Sequence, residues 1–519
     1  MREVERWAVL ELAFEGKSSG NPFEDYEIKA EFSREGKIVT VTGFYDGEGI
    51  YKIRFMPAEE GLYRYRVFGS CFNEDNQEKE GTFLAVPPYS PNNHGPVRTC
   101  GSRFIYEDGT PYHCMGTTCY AWVHQDIERQ EQTLKTLENS SFNKIRFCLF
   151  PKYYQYNLKE PLSYPYVRGK TDGQDWDRVE NTVIRSFHTR EPVAEVRDFN
   201  CHIFNVEHFR RFDMRIRQLL ELGIEADLIL FHPYDKWGFS TMTRECNELY
   251  LKYVAARYGA YRNVWWSMAN EYDLLKWPSE DWRELAQLLG DSTPYRKLCS
   301  IHNCVIRYDY QEDWVTHCSM QRIDLYKHVE NTDTYIDTYK KPVVWDEIAY
   351  EGNIDKGWGN ISGQEMVRRF WETVLRGGYP GHGETYVNQE EIFWWSHGGV
   401  LRGESEPRIR FLKQIWDDVP GGALKKGDCE YDELVGIPIS EYKAKDPVTG
   451  ERNWCSYELY YYGFGRPSFR WFELPENVEY RVEVIDTWNM TVEAAGIFSG
   501  PVCLKLPGRE YIAVRLRKV

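Results

Sequence analysis

The chain has 519 residues, of which 42% are hydrophobic and 28% charged, with a formal net charge of −16. These proportions argue against a disordered or fibrous protein, and an acidic balance without a long basic run argues against nucleic acid or an anionic membrane as partner. At about 150 residues per domain, the length calls for two to four domains.

No stretch reaches the roughly 18 uninterrupted apolar residues of a membrane span. The start MREVERWAVLELAFEGK lacks the apolar segment and small-residue cleavage site of a secretory signal, so the expected location is cytoplasmic. Thirteen cysteines occur without any CxxC spacing, which favours reduced thiols over a disulfide framework or a zinc site. The 18 Trp, 37 Tyr and 26 Phe suit surfaces that stack on sugar rings, and equally suit aromatic-rich cores.

In chain order, YEIKAEF, KIVTVTGFY, YKIRFMP and LYRYRVFG alternate apolar and polar residues between turns, the pattern of a small β-sandwich over residues 1–90. VPPYSPNNHGPVR, residues 86–98, is too rich in Pro and Asn to continue a ladder and marks a linker. Then apolar strands alternate with amphipathic helices. Strands are expected at 113–122, 144–150, 225–233, 263–271, 297–303, 314–320, 342–347 and 382–387. The clearest helix is capped by Asn205, carries Phe209, Phe212, Ile216, Leu219 and Leu220 on one face, and stops at Gly223. Others are expected from about Arg244 to Tyr258 and from Ser362 to Leu375.

Eight strands alternating with helices over residues 91–424 give the fold class α/β, a (β/α)8 TIM barrel. An open doubly wound sheet is the alternative, but no GxGxxG or P-loop is present for it to display. Between Pro151 and Asn205 the loop after the second strand is long enough to be expected to wall a pocket. Residues 425–519 return to strands such as WCSYELYYYGF and EYIAVRLRKV, a second β-sandwich beside the barrel.

Polar residues at the C-terminal ends of barrel strands face the active side, because the interior below them is a packed core. The fourth strand ends in Asn270 and Glu271, and the seventh in Asp346 and Glu347. Two carboxyl groups across a barrel mouth fit hydrolysis of a glycoside with retention. One gives a proton to the leaving oxygen and the other, about 5 to 5.5 Å away, attacks the anomeric carbon. A lone glutamate at a loop start is usually solvated or paired, and it is the coincidence of two at the fourth and seventh strands that carries the reading.

With these residues the sequence resembles the clan A glycoside hydrolases, retaining TIM-barrel enzymes with an Asn-Glu pair after strand four and a glutamate nucleophile after strand seven. YGAYRNVWWSMANEYD, STPYRKLCSIHN, KKPVVWDEIAYEG and RGGYPGHGETY narrow the resemblance to the apiosidase-like subgroup, a barrel between two sandwiches. The resemblance implies Glu271 as acid/base, Glu347 as nucleophile and Asn270 as the partner of the sugar 2-hydroxyl.

The other candidates for substrate binding are Trp122, Arg146, His232, Tyr234, His302, Tyr350, Glu384, Trp394 and Trp395. Arg146 lies in an apolar strand and needs an acceptor, so it is expected to orient Glu347 and hold its pKa low, a structural ion pair being the alternative. His302 ends the fifth strand, where it can touch a hydroxyl or a carboxylate. His232 and Tyr234 follow the third strand, Trp122 the first, and at least one of Trp394 and Trp395 is expected in the pocket floor. No HxH or HExxH occurs, so no metal and no cofactor is expected, and no serine nucleophile is expected either.

The expected function is that of a retaining exo-glycosidase acting on a small-molecule glycoside or oligosaccharide, with a pentose or furanose such as apiose, arabinose or xylose favoured. A hexoside-cleaving enzyme and a non-catalytic carbohydrate-binding protein are the alternatives. The sandwiches offer surfaces for a homo-oligomer.

Overall fold

Eight short parallel strands form the centre of the protein: Gly116–Thr118 (β1), Lys144–Cys148 (β2), Glu225–Phe231 (β3), Val264–Ala269 (β4), Cys299–Ser300 (β5), Cys318–Gln321 (β6), Val343–Glu347 (β7) and Tyr379–His382 (β8). Their hydrogen-bonded order is β5-β4-β3-β2-β1-β8-β7-β6, and a parallel bridge between His302 and Ser319 brings the two edges together. This is the barrel the strand and helix alternation implies. The computed structural model describes residues 1–73, 78–169, 198–321, 329–387, 394–429, 433–443 and 452–519.

Helices Ile127–Glu138 (α1), Val206–Glu221 (α2), Arg244–Tyr258 (α3), Ser279–Asp291 (α4), Thr332–Tyr339 (α5), Gly363–Leu375 (α6), Trp394–His397 (α7) and Ser405–Asp417 (α8) surround the strands. Among the described residues no helix separates β5 from β6. Ser362 caps α6 by accepting from the Glu365 N–H. Asn205 precedes α2 but does not cap it, since its amide donates instead to the Tyr164 carbonyl. Phe209, Phe212, Ile216 and Leu219 are buried along α2, and the chain leaves it through Gly223 at φ +73°.

The eighth strand departs from its expected place. It runs over Tyr379–His382, ahead of 382–387, because Gly381 lets the backbone approach β7 where a Cβ would stand 2.6 Å from the Trp345 carbonyl oxygen. Glu384–Thr385 forms a separate short pair with Glu351–Gly352.

Before the barrel, a five-stranded and a three-stranded sheet enclose their own core, which includes Phe32, Phe55, Val67 and Phe83. Alternation along Ile50–Phe55 sends Tyr51, Ile53 and Phe55 into that core and Arg54 out of the opposite face. There Arg54 meets the barrel. Its guanidinium bonds both oxygens of Asp213 on α2, at 3.0 and 2.7 Å, and Arg257 on α3 bonds the same two oxygens at 2.9 and 2.6 Å. Burial would raise the Asp213 carboxyl, but the two arginines outweigh it and hold the group down at about 2.

After the barrel, a six-stranded and a two-stranded sheet follow, the first strand starting at Leu424. This domain packs on α6 through Trp371 stacked on Tyr461, with ring centroids 5.3 Å apart.

One bridge contradicts the expectation of reduced thiols. Cys201, on the strand Phe199–Phe204 of the insertion after β2, is disulfide-bonded to Cys246 on α3. The two stand 45 residues apart in sequence and only the fold brings them together, so no spacing motif announces them.

Candidate active site

The chain beyond β4 makes an abrupt change of direction. The Asn270 N–H still bonds the Phe231 carbonyl, which continues the β3–β4 ladder, and Glu271 then takes a left-handed conformation at φ +51°. A non-glycine residue held there stores backbone strain, a cost that clusters at functional sites. Glu271 and Glu347 both line one cavity of about 240 Å³, together with Tyr120, Lys152, Tyr154, Tyr234, Cys304, Gln321, Ala349, Tyr350, Trp358 and Trp395. A cavity of the same volume lies between the barrel and the C-terminal domain, but its only carboxyl group is Asp337, so size alone does not mark the site.

Below the mouth, the barrel interior is charged where the sequence led us to expect an apolar core. Lys144 and Arg146 are one pleat apart on β2. Lys144 lies 2.7 Å from both Asp227 and Asp346, and Arg146 is 3.8 and 4.0 Å from the same two carboxylates. These ion pairs satisfy charges that could not otherwise be buried.

Arg146 fixes the next layer. It donates to Asn270 Oδ1 at 2.6 Å, to the Tyr120 hydroxyl at 3.3 Å and to Ser267 at 3.1 Å. Because a guanidinium can only donate, the Asn270 oxygen must face it, and the Asn270 amide N–H then points at Glu271 Oε2, 3.4 Å away. Tyr120 donates to Glu347, Tyr234 donates to Glu271, and Gln321 donates to the other Glu271 oxygen at 2.7 Å.

Burial first, and the Glu271 carboxyl next, push Glu347 up to about 7, while Tyr120 and Arg146 act in the opposite direction. Arg146 therefore reaches Glu347 through Tyr120, and Glu347 is raised where the sequence reading expected Arg146 to hold it low.

The structure sorts the remaining candidates. Tyr234, Tyr350 and Trp395 line the cavity, and Asn270 lies beside it. Five others do not line it. Trp122 is fully buried against Phe147, because the chain turns into a short 3-10 helix at Trp122–His124 and the strand alternation ends at Tyr120. Trp394 donates to Thr117 in the barrel wall, while its neighbour Trp395, about 100° further round the α7 turn, faces the cavity. His232 donates to the Phe150 carbonyl, and burial pulls its imidazole down to about 3. His302 is buried at the β5–β6 closure, where neither ring nitrogen has a hydrogen-bond partner among the described residues.

Glu384 accepts from the Arg402 and Gly403 N–H groups, and burial pushes it up to about 8. Sequence reasoning missed Tyr120, Lys152, Gln321 and Trp358. Tyr120 was legible as the last residue in phase with Thr118; Gln321 ends β6 one residue beyond the expected strand, and Lys152 on a loop and Trp358 on a short 3-10 turn belong to no periodic pattern. Residues 170–197 of the insertion after β2 lie outside the described residues, but its start supplies Lys152 and Tyr154 to the cavity.

Two clusters among the described residues bring three metal-ligating atoms within 4.8 Å of one another: Cys201, His202 and Cys246, and Glu351, His382 and Glu384. In the first the two sulfurs are bonded to each other. In the second, the N–H groups of Arg402, Gly403, Glu404 and Ser405 and the Tyr386 hydroxyl all donate to the two carboxyl groups and so occupy the oxygens a cation would need.

A parallel eight-stranded barrel with glutamates at the ends of its fourth and seventh strands, both on one aromatic cavity, defines a glycoside hydrolase of the clan A type. The family model "Apiosidase-like, catalytic domain" matches residues 99–419, and the chain belongs to that family. Two models of domains of unknown function match the flanks, DUF5060 over residues 3–69 and DUF5605 over residues 446–517.

The crystal structure of a "putative glycoside hydrolase" from Bacteroides vulgatus ATCC 8482 is 36% identical, covers 100% of both chains and superposes with a TM-score of 0.87. A family 5 glycoside hydrolase from the same organism shares the fold at 15% identity and a TM-score of 0.60, covering 83% of this chain and 95% of its own. Comparison with curated proteins returns no match. Among the described residues no helix is long and apolar enough to cross a membrane.

Proposed function

We propose that the protein is a retaining, exo-acting glycoside hydrolase that releases a terminal sugar by double displacement, with Glu347 as nucleophile and Glu271 as acid and then base. The observation that carries this reading is the shared cavity: two carboxyl groups from the ends of β4 and β7, each held by its own donors. In the first step Glu347 attacks the anomeric carbon, and a proton passes from Glu271 to the leaving oxygen. Tyr120 and Arg146 favour the ionised form of Glu347 that the attack requires.

Tyr234 is suited to both states of Glu271, because a phenol can donate to a carboxylate or accept from a carboxylic acid. Once the sugar is bonded to Glu347 and the proton has left with the departing group, Glu271 is free to act as base. It then takes a proton from water, which attacks the glycosyl-enzyme. Asn270, held by Arg146, is placed to bond the hydroxyl next to the reacting carbon.

The volume of about 240 Å³, below the usual range of drug-sized pockets, suits one small sugar and supports exo action on a pentose or furanose such as apiose, arabinose or xylose. The test is a panel of aryl pentosides, furanosides and hexosides in both anomeric configurations. The wild type is expected to cleave a pentoside or furanoside with retention, read by proton NMR. Glu347→Ala with azide should give the glycosyl azide of inverted configuration. Full activity in Glu347→Ala would remove the nucleophile assignment, and preference for a hexoside would overturn the sugar assignment.

A further inference from the structure

The Cys201–Cys246 bridge is surrounded by groups that a disulfide does not need. His202, next to Cys201 on the strand Phe199–Phe204, brings its Nε2 to 3.7 Å from Cys246 Sγ, and its Nδ1 lies 2.9 Å from a carboxylate oxygen of Glu24 in the N-terminal domain. A carboxylate can only accept, so Nδ1 carries the proton, and in the neutral ring the Nε2 lone pair faces the sulfurs. A carboxylate behind one ring nitrogen, with the other left to coordinate, is the way a metal-binding histidine is held. Asn21 donates to the His202 carbonyl at 3.0 Å and fixes the backbone as well.

Cys246 stands in the first turn of α3, where Thr243 accepts from its N–H and the N-terminal end of the helix favours a thiolate. Both sulfurs and a ring nitrogen of His202 lie within 4.8 Å of one another. The remaining eleven cysteines are free, and Cys429 and Cys503 are exposed, where an oxidising setting would pair or oxidise them. A lone bridge among so many thiols suits a pair that is also reduced.

We propose that, once the bridge is reduced, Cys201, Cys246 and His202 bind a zinc ion, so that bridge and metal are two states of one clip. A dithiol reductant supplies two electrons and two protons: the S–S bond breaks, two thiols form, and the reductant leaves as its own disulfide. Zinc then releases both thiol protons to solvent and takes the two thiolates and the His202 Nε2. The fourth position, on the solvent side of the partly exposed His202, falls to water. Sulfurs about 2.3 Å from a tetrahedral zinc stand about 3.8 Å apart, within reach of cysteines whose Cα atoms are 5.8 Å apart. Either state ties the insertion after β2, whose start lines the cavity, to α3 and, through Glu24, to the N-terminal domain. None of this depends on the hydrolase reading.

The experiment uses the full chain in two forms, with the bridge kept and with the bridge reduced by a phosphine, told apart by titrating 11 or 13 thiols in denaturant. Native mass spectrometry with added zinc is expected to show one zinc held by the reduced form and none by the bridged form, which has all the other thiols in common with it. Cobalt in place of zinc should give the thiolate-to-metal absorption of a tetrahedral site in the reduced form alone. Glu24→Gln, at an exposed side chain, should weaken zinc binding about 10- to 100-fold, the range for a group behind a metal ligand. His202→Ala should weaken it at least as much.

Zinc held equally by the bridged and reduced forms would place the metal on other groups and overturn the proposal. So would a reduced wild type that binds none, or a double variant, Cys201→Ser with Cys246→Ser, that binds as tightly as the reduced wild type. If the double variant does not fold, the two forms of the wild type still decide.

Discussion

Two pairs of glutamates, buried except for the partly exposed Glu347, serve opposite ends in this protein. Glu271 and Glu347 face a cavity; Glu351 and Glu384, which follow β7 and β8, face a loop whose backbone N–H groups close over them. One member of each pair is raised by burial to nearly the same value, Glu347 to about 7 and Glu384 to about 8. A raised carboxyl is therefore no signature of chemistry. What separates the pairs is the unfilled space beside one of them.

The largest effect that should follow is on activity. Glu347→Ala is expected to lower kcat by at least about 10⁴-fold, and Glu271→Ala by about 10²- to 10⁴-fold, the range for a positioned acid or base. Circular dichroism should show both variants folded. Glu351→Ala should do the reverse. It leaves the N–H groups of Glu404 and Ser405 and the Tyr386 hydroxyl without an acceptor, and is expected to cost about 2–4 kcal/mol in urea unfolding. Its activity should fall only with the folded fraction. An active Glu347→Ala, or a fully stable but inactive Glu351→Ala, would reverse the assignment of the two pairs.

A smaller effect sharpens the contrast at the cavity. Tyr120→Phe removes a donor that favours ionised Glu347, so the Glu347 value rises further and the acid limb of the kcat/KM profile moves to higher pH. The rate should fall about 10-fold or more.

The smallest effect concerns the closed pair. The Glu384 carboxyl is raised in the fold, so its contribution to stability is complete below the ordinary carboxyl range near 4.3 and is lost as pH rises through about 8. The thermal midpoint should decline gradually over that window. Glu384→Gln, which cannot ionise, should flatten the part of the decline that Glu384 causes.

The barrel and the two strand-end glutamates were legible because both rest on periodicity: an apolar run that stops at a carboxylate can be read directly from the sequence. Other features depend on a local change of path. Trp122 and Tyr120 are two residues apart on what reads as one strand, but a 3-10 turn sends the first into the core and leaves the second on the cavity. Trp394 and Trp395 are adjacent, and the rotation of about 100° between neighbours on a helix separates their fates. Glu384 carried the right chemistry at the apparent end of a strand, but Gly381 moved that strand forward and left Glu384 in a loop clasp. Lys144, Arg146, Asp227 and Asp346 were visible as charges in apolar strands, but their mutual neutralisation required the barrel to close. The Cys201–Cys246 bridge had no local sign at all.

The fork of two arginines on Asp213 bears on inheritance. One guanidinium comes from the N-terminal sheet and the other from the barrel, and they share a single carboxylate. A barrel that lost its N-terminal partner would keep Asp213 with half its neutralisation, and a foreign sheet grafted in its place would need a cation at the same point of its outer face. The sheet and the barrel are thus bound to descend together, and exchange of flanking domains between relatives should be rarer at this junction than where domains meet only through apolar contacts.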